Sequence, residues 1–88
     1  MITAAQMRAA RALIGMDQKT LAERAGVSLP TVQRMEASEG VVRGVVDTLV
    51  KVIQALEEAG VTLIGDNQTS DGGGRGVRLK TPPQGSIR

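Results

Sequence analysis

The sequence predicts a small, mainly α domain. Four helices occupy residues 1–60, followed by a C-terminal β-hairpin over 61–80 and a flexible tail over 81–88. Three observations carry this reading. Apolar residues recur three and four positions apart as far as Ala59, the spacing of one helical face. Glycines 15, 26 and 60 stand where three of these runs stop, and glycine takes the left-handed conformation of a helix end without steric cost. Beyond Gly60 the period drops to two, in Val61-Thr62-Leu63-Ile64 and again in Gly76-Val77-Arg78-Leu79-Lys80, which is the pattern of strands.

Thr3 opens the first helix, and Gln6 three residues later completes a capping box. Met7, Ala10, Leu13 and Ile14 form its apolar stripe, flanked by Arg8 and Arg11. Gly15 ends it, and Met16 plugs the core from the connection. Asp17 is placed to cap the second helix, where an acid also suits the helix dipole. Leu21, Ala22 and Ala25 are that helix's apolar positions, and Gly26 follows at once. Ser28 caps a third helix, roughly Leu29 to Ala37, by accepting from the amide of Thr31. Pro30 falls in the first turn, where its missing amide costs no helical bond. Val32 and Met35 give this helix its apolar side.

Ser38 to Gly44 reads as a loop. A fourth helix covers about Val45 to Ala59. Its apolar residues Val45, Val46, Leu49, Val50, Val52, Ile53, Leu56 and Ala59 wrap about half of the circumference at ~100° per residue, with Asp47, Lys51, Gln54 and Glu58 opposite. A stripe that broad is either all core or core with some surface left for a partner. Gly65 to Arg75 joins the two strands as a long flexible loop. A lone hairpin is marginal in water, and it gains most by packing on the fourth helix or by pairing with the same element of another subunit.

Gln18 to Glu36 therefore forms two short helices joined by a tight turn at Gly26, with Ala22 small enough for a close crossing. This is the helix-turn-helix pattern, in which the second helix enters the major groove of DNA. Net charge does not by itself announce a nucleic-acid binder. Residues 1–60 carry seven basic and seven acidic side chains, so the excess of +2 lies wholly in residues 61–88. Affinity for DNA must come from a local face, from helix N-termini, or from two copies acting together.

Composition narrows the field further. The chain has 88 residues, no Cys and no Phe, Trp or Tyr. Neither a disulfide nor cysteine-ligated zinc staples it, and Leu, Ile, Val, Met and Ala alone build the core. Extra burial by oligomerisation is expected of so small a domain. No apolar run reaches signal or membrane length, which predicts a cytoplasmic protein with no membrane partner. With no His and no Cys there is no nucleophile–base triad and no zinc constellation. Glu57 and Glu58 point in different directions on a helix. Asp66, Asn67 and Asp71 lack the spacing and terminal glutamate of an EF-hand loop, and GGGRG precedes no helix. The expectation is a non-enzyme with no metal and no cofactor.

Met7 to Glu36 resembles the Xre/Cro/cI-type phage-repressor helix-turn-helix. The resemblance lies in Arg11, the Gln18 that opens the second helix, Leu21-Ala22, Gly26-Val27-Ser28, Val32 and Glu36, and it extends over roughly residues 3–60. It implies a Cro/cI-like domain that binds operator DNA as a dimer, here with a hairpin in place of the family's fifth helix. It also implies that Arg11 and Glu36 form an ion pair behind the recognition helix; guanidinium and carboxylate suit each other bidentately, and either alone is costly when buried. By the same resemblance Gln18 meets a phosphate at the second helix's N-terminus, where amides are free. Lys19 adds a charge contact there or is an ordinary solvated lysine.

Ser28, Leu29, Pro30, Thr31, Gln33 and Arg34 then supply the DNA-facing surface. Arg34 suits guanine O6 and N7, and Gln33 suits adenine or a phosphate. Thr31 suits a phosphate or a thymine methyl. Leu29 and Pro30 offer apolar contact only, to thymine methyls or to protein. Arg43 is a phosphate clamp or a solvated loop residue. Val61, Leu63, Val77 and Leu79 form a dimerisation element or a flap over the domain's own core. The expected function is sequence-specific transcriptional regulation by a homodimer on double-stranded DNA, with half-sites ~34 Å apart. Repression by occlusion is the default, and activation through contact with RNA polymerase is the other mode. The rival is an adaptor or antitoxin-like module that meets another regulatory protein through Leu29-Pro30 and the hairpin.

Overall fold

The first three helices each start on a side-chain cap, and the fourth starts without one. The computed structural model describes residues 2–42, 44–65 and 73–80. The order is α1 (Ala4–Ile14), α2 (Gln18–Ala25), α3 (Leu29–Ala37), α4 (Val46–Glu58), β1 (Val61–Ile64) and β2 (Gly76–Leu79). At the head of α1, Thr3 Oγ1 accepts from the Gln6 amide at 3.1 Å, and Gln6 Oε1 accepts from the Thr3 amide at 2.9 Å. Both orphan donors of the capping box are thereby satisfied. Asp17 caps α2 through the Thr20 amide at 2.7 Å, and Ser28 caps α3 through the Thr31 amide at 3.2 Å. Gly26 closes α2 at φ 72°, a left-handed conformation that a side chain would strain.

The core draws on all four helices and on the hairpin. Met7, Leu21, Val32, Val52, Leu56 and Val61 are enclosed completely, one or two from each of α1, α2, α3, α4 and β1. The strands pair antiparallel in the register Val61↔Leu79, Thr62↔Arg78, Leu63↔Val77 and Ile64↔Gly76. The sheet packs on α1 as well as on α4. Period-two alternation sends Val61, Leu63 and Val77 against the core, while Arg78 and Lys80 remain exposed. The hairpin therefore covers its own domain's core.

Gln6 fixes where the hairpin lies. Its side chain is buried, and its Nε2 donates to the carbonyl oxygens of Ile64 at 2.9 Å and Gly76 at 3.0 Å. These two residues face each other at the end of the ladder nearest the connecting loop. One carboxamide thus caps a helix with its oxygen and pins both strands with its nitrogen.

Three local features depart from the sequence reading. On α4, Leu49, Val52 and Leu56 are buried and Ile53 is partly buried, but Val45, Val46 and Val50 are 70%, 67% and 40% exposed. The all-core alternative fails for those three because the helix has neighbours over only part of its circumference; Ala55 is buried instead. Leu13, at the rim of the α1 stripe, is also exposed. Finally, residues 38–42 are anchored. The Val42 amide donates to Ile2 at 2.9 Å, the Ala4 amide donates to Gly40 at 3.1 Å, and both Ile2 and Val42 are buried. Arg43, the tail over 81–88 and residues 66–72 of the inter-strand loop lie outside the described residues. Among the described residues, no helix is long and apolar enough to cross a membrane.

The double duty of Gln6 gives a selective test. Gln6→Glu keeps an acceptor for the Thr3 amide but sets a carboxylate against two carbonyls. It is expected to cost about 2 kcal/mol in urea unfolding. Hydrogen-exchange protection should fall in β1 and β2 far more than in α2 and α3.

Candidate nucleic-acid interface

The angle between α2 and α3 is held by short-range geometry. The Gly26 amide bonds back to Ala22 and Glu23, and the Val27 amide reaches Ala22 O at 3.0 Å. Ala22 is buried in the crossing. The chain then passes directly into the Ser28 cap, so three residues separate the two helices.

Beneath α3 lies a polar cluster centred on Glu36, which is 4% exposed. Arg11 approaches its carboxylate as a fork, Nε to Oε2 and Nη2 to Oε1, each at 2.6 Å. The remaining Arg11 nitrogen, Nη1, donates to Met16 O at 3.0 Å. Gln18 Nε2 donates to Glu36 Oε1 at 3.1 Å, and Arg8 donates to the Glu36 backbone carbonyl. Hydrogen bonding to Glu36 is the main reason the Arg11 pKa rises above its ordinary value, outweighing the opposing effect of partial burial. Among the described residues no buried side-chain nitrogen or oxygen lacks a partner. Desolvation of the pair is therefore matched by a complete set of bonds, which is the condition for a buried charge pair to be tolerated.

The outer side of α3 divides the sequence candidates. Pro30, Gln33 and Arg34 are exposed, and Thr31 is half-buried. Leu29 does not belong with them. It is half-buried and packs against the core, because the first turn of α3 tucks that side chain under the helix. Ser28 Oγ lies 2.8 Å from Thr31 Oγ1, and Arg34 Nη2 donates to Thr31 Oγ1 at 3.4 Å. Arg34 thus lies back along its own helix with most of its donors still available. Lys19 is exposed on the first turn of α2, whereas Gln18 is turned inward to Glu36.

The α2 N-terminus has a mixed potential. Asp17 takes the Thr20 amide, and this backbone bond, followed by the Thr20 hydroxyl, lowers the Asp17 pKa below the ordinary carboxylate value. The charged carboxylate there opposes a phosphate, and Lys19 offsets it. A groove of about 380 Å³ runs between α3 and the start of α4, bordered by Thr31, Arg34, Met35, Ser38, Val45 and Thr48. Ser38, Thr48 and the bond from Arg8 to Glu36 were not singled out from the sequence. Only Arg8 carried a signal, three residues before Arg11 and so on the same helix face. Among the described residues no group of three His, Cys, Asp or Glu side chains is assembled to hold a metal.

A helix-turn-helix family model matches residues 7–59, a span that runs from within α1 to the end of α4 and takes in the whole Glu36 cluster. No curated protein matches the chain.

Removing one member of the ion pair strands the other. Glu36→Ala is expected to cost about 3 kcal/mol in chemical denaturation, and the paired change Arg11→Met with Glu36→Leu should recover most of that loss. The Asp17 cap acts through pH. A carboxylate whose folded pKa is depressed stabilises the fold above its unfolded pKa, and the effect is lost as pH falls through the folded value. Asp17→Asn should therefore flatten the acid limb of stability below about pH 4, a difference read by thermal melts across a pH series.

Proposed function

The chain belongs to the helix-turn-helix family, and from that premise we propose that it is a sequence-specific transcriptional regulator that binds double-stranded DNA as a homodimer. The observation that carries the reading is the division of α3. Val32, Met35 and Glu36 are buried while Gln33 and Arg34 are exposed, so a rigid helix presents polar side chains on an apolar and ion-paired footing.

In this reading α3 enters the major groove. The planar fork of Arg34 suits guanine O6 and N7, and Gln33 suits adenine N6 and N7 or a phosphate. The Thr31 hydroxyl is engaged by Ser28 and Arg34 and orients the latter, leaving its methyl for a thymine. Pro30 offers apolar contact. Lys19 meets the backbone at the start of α2. Gln18 contributes in a narrower way: one amide hydrogen is held by Glu36, and the second is free for a phosphate oxygen. Such a bond would tie the DNA backbone to the pair that anchors α3. Occupancy of an operator overlapping a promoter then represses by occlusion.

The adaptor reading takes Leu29-Pro30 and the hairpin as its contact surface, and Val61, Leu63 and Val77 of the hairpin pack on the domain's own core. With Leu29 also drawn onto it, Pro30 alone of the pair stays exposed.

Selection of bound duplexes from a random pool tests the proposal. The expected result is a two-fold symmetric site with half-sites ~34 Å apart. Weak binding to every duplex, with little dependence on salt, would overturn it. Arg34→Ala should cost about 1–3 kcal/mol on the selected site and relax preference at one position per half-site. Lys19→Ala should weaken binding evenly across sequences and reduce the salt slope by about 1.

A further inference from the structure

The end of α3 is closed unlike those of the two helices before it. α1 and α2 each finish on a glycine in the left-handed conformation, whose amide returns to the last turn. α3 finishes on Ser38 in an extended conformation. Its last carbonyls have no amide ahead of them in the helix and need other donors. The Ser38 amide donates to Met35 O at 3.3 Å, and Ser38 Oγ donates to Arg34 O at 3.1 Å. The Glu36 carbonyl is met from another helix, by Arg8 Nη1 of α1 at 2.5 Å.

We propose that Arg8 is a positioning residue for DNA recognition: by holding the Glu36 carbonyl it keeps the last turn of α3 closed and so aims Arg34. This role rests on the DNA-binding reading. Arg8 and Arg11 stand three residues apart, on one face of α1, and both reach Glu36. Arg11 takes the carboxylate and Arg8 takes the backbone carbonyl. A grip on the side chain alone leaves the backbone free to pivot about the torsions of Glu36. A second grip on the backbone removes that freedom. Arg34 lies two residues upstream in the same last turn, with its own carbonyl bonded to Ser38. If that turn opens, the Arg34 fork loses the direction that bidentate contact with guanine demands.

An exposed arginine in a DNA-binding domain has a simpler use, contact with a phosphate. Two features favour the positioning role. The Arg8 guanidinium is engaged at a carbonyl of the C-terminal end of α3, whereas the free amides that suit a phosphate lie at helix N-termini. A cation is also favoured where it stands, against the negative end of the helix dipole.

The test uses the full chain and the duplex selected from the random pool. The ratio of specific to non-specific affinity is measured well below the melting temperature, together with its salt dependence. Arg8→Met keeps the aliphatic stem and removes the donors. Because Arg8 is exposed, the helical circular-dichroism signal should be unchanged. The ratio should fall about tenfold, the worth of one charged hydrogen bond. Arg8→Lys keeps a donor of similar reach and should recover most of that loss. The salt slope should match the parent in both variants. In an Arg34→Ala background, Arg8→Met should change the ratio by less than about twofold, because the group being aimed is already gone. A residue that served stability alone would lower the melting temperature and leave the ratio untouched.

An Arg8→Met ratio equal to the parent's overturns the proposal. So does a salt slope reduced by about 1, which would make Arg8 a phosphate contact. So do losses from Arg8→Met and Arg34→Ala that simply multiply. Each of these results leaves the DNA reading standing, since a duplex has been selected. A parent chain that selects no duplex overturns that reading and the role of Arg8 with it.

Discussion

The forked bond between Arg11 and Glu36 is the constraint from which the arrangement of the first three helices follows. It joins α1 to α3 directly, reaches α2 through Gln18, and closes the α1–α2 connection through Met16 O. A hydrophobic contact tolerates sliding; a bidentate pair with a fixed fork does not. In a core made only of aliphatic and thioether side chains, without one aromatic ring, that directional element matters more than it would elsewhere. Apolar burial supplies most of the driving force, and the buried pair supplies register. Replacing it with well-packed apolar residues need not lower stability, so its value to the domain lies in aiming α3.

Much of this was legible in the sequence because short-range rules governed it. Thr3 with Gln6, Asp17 and Ser28 announce helix starts through one side chain and one nearby amide, and Gly26 announces a stop through its own φ. Apolar periodicity located Met7, Leu21, Ala22, Val32 and Met35 for the same reason. What escaped depends on contacts distant in the chain. Nothing near Gln6 signals that its nitrogen will meet Ile64 and Gly76, some 58 and 70 residues away. Ile2 and Val42 look unremarkable until they meet across the start of α1. Leu29 looked exposed because it neighbours the polar face of α3, but one step of ~100° is enough to carry it to the core side. On α4 the periodicity left two alternatives open, and the exposures fit core with some surface left over, since a wide apolar stripe does not say how many neighbours are present to cover it.

The hairpin shows how a small domain manages its limited core. Two strands of four residues would not persist in water alone. Here they are held by Val61 inside the core, by Leu63 and Val77 against it, by the Lys80 amide bonded to Gly60 O at 2.8 Å, and by the two bonds from Gln6. Once these apolar side chains are used internally, they are no longer available to a partner. The same economy explains the valines on α4. The four helices and two short strands among the described residues are too few to enclose a 13-residue helix on more than one side.

These two facts bear jointly on how such a domain acts on DNA. Residues 1–60 carry equal numbers of acidic and basic side chains, and Asp17 places a negative charge at the very helix end where a phosphate would dock. Long-range attraction is therefore weak, and the exposed polar side chains of one α3 are few, Gln33 and Arg34 with half-buried Thr31 beside them. A single protomer would find DNA slowly and leave it quickly. Rigid coupling of two copies changes this without any new contact to DNA, because the second half-site is then engaged at a high effective concentration. The benefit requires a fixed spacing between the two α3 helices. A loosely tethered pair would lose most of it.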